Sequence, residues 1–171
     1  MNPTPREFKE FEIGLGLMTV VRQPSILSIS GIGSCIALAM RDTRTSASGL
    51  AHIVLPSSRG ADDAYITPGK YSDTAVRALN RGIITSGGTI ENIRAKLVGG
   101  ARVLTTGGFD GTKNIESTRS ELAKNGIVVL AEDVGEAYGR SMKFDTATGK
   151  IAIKRYQQNG GIAELKDTIM I

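Results

Sequence analysis

The chain of 171 residues holds one cysteine, Cys35, and one histidine, His52. A thiol is a strong nucleophile only as thiolate, and a neighbouring imidazole takes its proton and stabilises the anion as imidazolium. The two residues lie on segments joined by a short polar turn, Asp42 to Gly49. Paired as a hairpin, those segments bring the side chains within reach. Cys35 closes the run Gly31-Ile32-Gly33-Ser34-Cys35. A glycine turn of this kind lets the backbone N–H groups of Gly33, Ser34 and Cys35 face one point, where they would hold the oxyanion of a tetrahedral intermediate. The pattern predicts a nucleophile, a base and an oxyanion site, with the Cys35 thiol depressed towards thiolate near neutral pH. Two plainer readings stand beside it. A lone cysteine is commonly a small buried hydrophobe, and a lone histidine in a strand a satisfied structural residue.

Other chemistries are poorly supplied. The glycine turn completes neither G-x-G-x-x-G nor a Walker pattern, so no nucleotide and no other cofactor is expected. One Cys and one His without carboxylates at ligand spacing predict no metal site. Tryptophan is absent and aromatics make up 5%, too few for a base-stacking surface. The formal charge is +4, but its Lys and Arg are scattered, so a nucleic-acid stripe is not indicated, and a mildly basic surface suits an acidic protein partner equally well; no nucleic-acid partner is expected. A single cysteine allows no intrachain disulfide and fits a reducing compartment. The N-terminus carries Glu7, Glu10 and Glu12 before any apolar run, unlike a signal peptide, and the longest apolar run, Ile36 to Met40, is too short to span a membrane. A cytoplasmic protein without membrane insertion is expected.

The elements that must position Cys35 and His52 follow from periodicity. Ile13, Leu15 and Leu17 alternate with glycines and read as a strand. Ile26 to Ser30 alternates too, with Ile26 and Ser28 on one face and Leu27 and Ile29 on the other. Ile36 to Met40 reads equally as a buried strand or as the first turns of a helix. Leu50 to Leu55 is a strand stopped by Pro56, and Ser57 to Gly69 a polar loop. Ser72 to Ser86 is a helix with Ala75, Leu79, Gly82 and Ile83 on one face. Ile93 to Val98 is a strand. Lys113 to Asn125 is a second helix, with Ile115, Leu122 and Ala123 inward and Gly126 as its stop. Ile127 to Ala131 is a strand, and Met142 to Phe144 with Ile151 to Ile153 form a hairpin around Thr146 to Gly149. Residues 1–9 and 160–171 are expected to be loose, the latter with the alternative of a short strand. The length and pattern predict one domain over residues 1–171, α+β, with two main helices packed on a mixed, largely antiparallel sheet.

GIGSC at 31–35, AHIVLP at 51–56 and PGKYSDTAV at 68–76 together resemble CheD, a family of chemoreceptor glutamine deamidases. The likeness continues through KLVGGA at 96–101, GTKNIEST at 111–118, GIVVLAEDVG at 126–135 and GRSMKFDTATGKIAIKR at 139–155. The resemblance implies that Cys35 is the nucleophile and His52 its base. It also implies an α/β sandwich similar to the catalytic domain of the cytotoxic necrotizing factor toxins. The family's third catalytic residue is a threonine six positions before the cysteine, and here that position is Ile29. The Ile29 main-chain carbonyl is therefore expected to orient His52, ahead of the hydroxyls of Ser28 and Ser30, which alternation points to the other face.

What the resemblance implies is a cysteine hydrolase that turns receptor glutamines into glutamates through a thioester, with hydrolysis of glutamyl methyl esters as adjacent chemistry. The implied partners are the cytoplasmic helices of chemoreceptors and a CheC-type phosphatase. Two alternatives remain open: a weakly active or inactive chemotaxis adaptor, and a cysteine protease or transglutaminase.

Overall fold

The computed structural model describes residues 8–102 and 111–171. Ten strands form two five-stranded sheets. In chain order the strands are β1 (Lys9–Glu12), β2 (Met18–Val21), β3 (Ser25–Ile32), β4 (Ile36–Asp42), β5 (Ser48–Ile53), β6 (Ile93–Gly99), β7 (Val128–Val134), β8 (Gly139–Asp145), β9 (Ile151–Asn159) and β10 (Ile162–Met170). One sheet has the order β1-β3-β8-β9-β10 and the other β2-β5-β4-β6-β7. The β1–β3 and β6–β7 pairs are parallel and the others antiparallel. Two helices, α1 (Ser72–Thr85) and α2 (Thr112–Lys124), cover the second sheet. The expected mixed, largely antiparallel α+β character is present, divided between two sheets.

The layers follow from alternation along β4. Ile36, Leu38 and Met40 point to the helices, where they pack with Ala75, Leu79, Ile83, Ile115 and Leu122. Ala37 and Ala39 point the other way, into the space between the sheets, with Leu27, Ile29, Val98, Met142 and Phe144. A strand buried on both faces reads as a continuous apolar run, which is why periodicity alone leaves this segment open between strand and helix. The short alanines on the inner face let the sheets approach.

Both helices fall where the pattern puts them. Gly126 lies at positive φ and stops α2, with the Ile127 N–H donating to the Leu122 carbonyl at 2.9 Å. The inward face of α2 differs by one residue: Ala123 is exposed, while Asn114 and Thr118 are buried beside Ile115 and Leu122. The Thr118 hydroxyl lies 2.9 Å from that of Ser72 and joins the two helices.

Two segments depart from expectation. Residues 13–17 form a turn rather than a strand, and Leu15 and Leu17 are exposed. The chain's hydrogen bonds explain why: Gly16 N–H and Leu17 carbonyl close on His52 main chain, while Ile13 N–H reaches back to Ser28. The alternation was of glycines with apolar residues, and Gly16 takes positive φ. The tail after Asn159 is the nine-residue strand β10, paired along β9. Of the N-terminal stretch expected to be loose, residues 1–7 lie outside the described residues, while Lys9 begins β1.

The sheets are tied together at one end by ions. The Arg140 guanidinium, fully buried, donates to Asp133 at 2.9 Å, and Arg155 donates to the same carboxylate at 2.7 Å. Burial pushes the Asp133 carboxyl up, but the two guanidiniums outweigh it and hold it below the usual carboxylate range. The folded pKa is depressed, so this contribution is present above the unfolded value near 3.9 and is lost as pH falls through the folded one. Asp133→Ala should destabilise the fold by about 3–5 kcal/mol, because it strands a buried guanidinium. The deficit should shrink below about pH 4, where the wild-type carboxylate also loses its charge. Urea melts at pH 7 and pH 3.5 check both statements, and an equal deficit at the two pH values would refute the ionic account.

Candidate active site

Cys35 and His52 are carried to the same end of the sheet because β4, which begins one residue after Cys35, pairs with β5. His52 lies opposite Ala37, and the Cys35 position is two residues further along the same alternation. Such diagonal neighbours on one face of an antiparallel pair are about 7–8 Å apart between Cα atoms, within reach for a thiol and an imidazole. The chain continues the ladder at this point, since the Gly100 N–H donates to the Cys35 carbonyl at 2.7 Å. His52 is 3% exposed and Cys35 is half-buried. The main chain of His52 is fixed from the other side by the 13–17 turn, with Gly16 N–H donating to its carbonyl and its own N–H donating to Leu17, both at 2.9 Å.

The loop before Cys35 is turned by its carbonyls. Gly33 accepts from Ala101 N–H at 2.9 Å, Ser34 from the Asn114 side chain at 2.9 Å, and Cys35 from Gly100. Three successive carbonyls are thus drawn towards the 99–101 segment and α2. Among the described residues, no acceptor meets the N–H of Gly33 or Ser34, and that of Cys35 acts on its own thiol. Amides without an acceptor in a half-buried loop are uncommon. The close approach depends on glycine. Gly99 sits at positive φ, and a Cβ there would collide with the Cys35 carbonyl, as one at Gly111 would with the Gly100 backbone.

Asn114 is the residue that sequence reasoning missed. Its Nδ2 donates to the carbonyls of Ser34 and of Val54, at 2.9 and 3.0 Å, and so ties the cysteine loop to the end of the histidine strand. Its Oδ1 is buried with no partner. A polar residue at an inward position of α2 was the available signal. Ser117 adds a bond from the same helix to the Pro56 carbonyl.

The electrostatics correct the expected thiolate. Burial pushes the Cys35 thiol up, and the opposing pull of its own backbone N–H is weaker. Burial also pushes the His52 imidazole down, against a smaller upward effect of the Ile13 main chain. Both shifts favour the neutral thiol and neutral imidazole over the ion pair.

Among the described residues, neither ring nitrogen of His52 has a hydrogen-bond partner. The Ile29 carbonyl is therefore not joined to the ring as expected, and the main-chain group that acts on it belongs to Ile13. Ile29 itself is buried between the sheets. The serines point away, as alternation required: Ser30 is exposed, and the Ser28 hydroxyl donates to the Phe11 carbonyl.

A family model described as CheD chemotactic sensory transduction matches residues 54–155, more than half of the chain. The chain is 37% identical to the chemoreceptor glutamine deamidase CheD of Thermotoga maritima, over 84% of this chain and 90% of that protein. It belongs to the CheD family. Probable chemoreceptor glutamine deamidases CheD of Geobacillus kaustophilus and Haloarcula marismortui are 37% and 34% identical, covering 86% and 88% of this chain and 93% and 86% of theirs. The family model begins just past His52. The Thermotoga match, however, must include Cys35 and His52, because the chain after Cys35 is too short to supply it. The order of motifs that suggested CheD is thus matched by relatives over most of the chain.

Two measurements probe this CheD site. Alkylation of Cys35 by iodoacetamide in the free protein should rise with pH to a midpoint above about 8.5, the ordinary thiol value. A midpoint at or below pH 7 would show a preformed thiolate. Asn114→Ala frees the Ser34 and Val54 carbonyls and should lower turnover about tenfold, roughly 1.4 kcal/mol of barrier. An unchanged kcat would remove Asn114 from the positioning of the loop.

Proposed function

We propose that this CheD protein deamidates glutamine side chains of chemoreceptors, with Cys35 as nucleophile and His52 as base. The observation that carries the reading is that His52 lies opposite Ala37, two residues past the chain's sole thiol, on the strand paired with β4. The relatives' names supply the substrate: a chemoreceptor glutamine.

As the substrate carboxamide enters, Cys35 gives its proton to His52 and its sulfur bonds to the amide carbon. The amide N–H groups of Gly33, Ser34 and Cys35 receive the oxyanion. His52 returns the proton to the departing nitrogen, ammonia leaves, and a thioester remains. His52 then takes a proton from water, which attacks the thioester to give glutamate and restore the thiol. A glutamyl methyl ester entering the same site would yield methanol through the same acyl-enzyme.

The Ile13 main chain, held by Ser28 and facing His52, takes the orienting role that a threonine at position 29 would fill. The protein's charge of +4 suits Glu- and Gln-rich receptor helices in the cytoplasm, and docking to a CheC-type phosphatase belongs to the same reading. So does a single deamidase domain over 1–171 with the catalytic fold of the necrotizing factor toxins. The two stacked sheets with helices on one of them are compatible with that fold.

A second reading, an adaptor without turnover, draws on the unpartnered imidazole. Mass spectrometry of receptor cytoplasmic fragments separates the two. The wild-type protein should convert particular glutamines to glutamate without cleaving or crosslinking the fragment. Cys35→Ala should abolish conversion, and His52→Ala should slow it by about 10²–10⁴. Binding without conversion by the wild type would establish the adaptor.

A further inference from the structure

At the end of β4 away from Cys35, roughly 20 Å along the strand at about 3.3 Å per residue, the inner face of the sandwich stops being apolar. Arg41 stands directly opposite Arg94, and Lys96 follows on the same face opposite Ala39. These positions continue the alternation that buries Ala37, Ala39 and Val98 between the sheets. The three cations line a cavity of about 160 Å³, walled also by Phe144, Leu130 and Thr148. Among the described residues, no carboxylate lines it. The nearby acids are engaged elsewhere: Asp42 accepts the N–H groups of Arg44, Thr45 and Thr89, and Asp145 those of Ala147 and Thr148.

Like charges directly opposite on paired strands are destabilising, and burial sharpens the repulsion. Lys96 is pushed below its ordinary value by burial and then by Arg41. Part of this arrangement fastens the β8–β9 turn: Arg41 donates to the carbonyls of Thr146 and Ala147, and Lys96 to that of Gly149. Arg94 has no share in that. Among the described residues it donates only to the carbonyls of Glu91 and Ile93 on its own segment, yet it lines the same cavity. A third cation set against two others, with no acid to balance it, is a cost that fastening a turn does not explain.

We propose that this cavity is a binding site for a phosphoryl group, separate from the Cys35 site. Two guanidiniums and an ammonium match the charge and the several acceptor oxygens of a phosphate dianion. The volume is about ten times the minimum for one water, and Leu130 and Phe144 offer an apolar wall to a small ester substituent. The bulge in the β6–β7 register, between Ala95 and Lys96, leaves Leu130 as the extra residue of β7 at this wall.

The test is calorimetric titration of the whole protein with inorganic phosphate and with phenyl phosphate, at about 0.15 M salt so that loose surface attraction is screened. Saturable one-to-one binding is expected. Arg94→Gln and Lys96→Gln should each weaken it at least about tenfold, the loss of one charge-assisted hydrogen bond. Melting curves accompany each variant, and Arg94→Gln should melt with the wild type because it leaves the turn's bonds intact. Tighter binding of phenyl phosphate would assign the site to a phosphate ester, and equal binding to free phosphate. No saturation by either anion up to about 10 mM, or wild-type affinity in a folded Arg94→Gln, would overturn the site.

Discussion

β4 is the constraint on which this molecule depends. It is the central strand of its sheet, paired along its length with β5 on one side and β6 on the other. From Ile36 to Met40 every residue is buried. Its two faces feed two different cores, one shared with the helices and one with the opposite sheet. A slip of one residue would exchange them, forcing isoleucine, leucine and methionine into the narrow space filled by alanines. The register of β4 is therefore strongly specified, and with it the place of whatever lies at its ends. His52 on β5 and Gly99 on β6 are brought to the cysteine end by the same ladders.

Around Cys35 the backbone is organised by where its acceptors go. Each peptide unit has its C=O and the N–H of the next residue on opposite sides, so fixing the carbonyls of Gly33, Ser34 and Cys35 behind the loop also fixes the N–H groups of Ser34, Cys35 and Ile36 on the other side. The donors that do this come from the end of β6 and from α2. Glycines at 99, 100 and 111 let these backbones touch. The Asp133–Arg140–Arg155 cluster closes the same end of the sandwich, since Gly135 beyond β7 donates to the Gly99 carbonyl and Arg140 stands opposite Ile32. Helix, glycines and ions thus act on the Cys35 loop through the main chain.

Much of this was legible in the residues. The two helices, the strand of His52, the hairpin at Thr146 to Gly149 and the inward set Leu27 and Ile29 follow from period and punctuation. What was not legible has a common physical origin: main-chain hydrogen bonds leave no mark on hydrophobic pattern. Ile13 to Leu17 alternates like a strand, but its main chain serves His52 and Ser28 instead of a ladder partner. Asn114 looked like one more polar helix residue, because the carbonyls it holds are 80 and 60 positions away in sequence. The split into two sheets was hidden for a related reason. β3 and β4 are consecutive and similar in pattern, yet they pair with different strands. The bend at residues 33–35 that separates them is the loop that carries the site.

The protonation state of the pair was misjudged because spacing says nothing about water. A glycine turn and a neighbouring imidazole argue for a thiolate only if the resulting ion pair is solvated or hydrogen-bonded. Here burial acts on both groups, raising the acid and lowering the base, so that it doubly opposes proton transfer between them. Among the described main-chain groups, only the N–H of Cys35 itself acts on the thiol, and its pull is weaker than burial. On the proposed mechanism, the charged form of the site is favoured only when a substrate carbonyl oxygen is there to carry the charge, which would confine nucleophilicity to the bound complex.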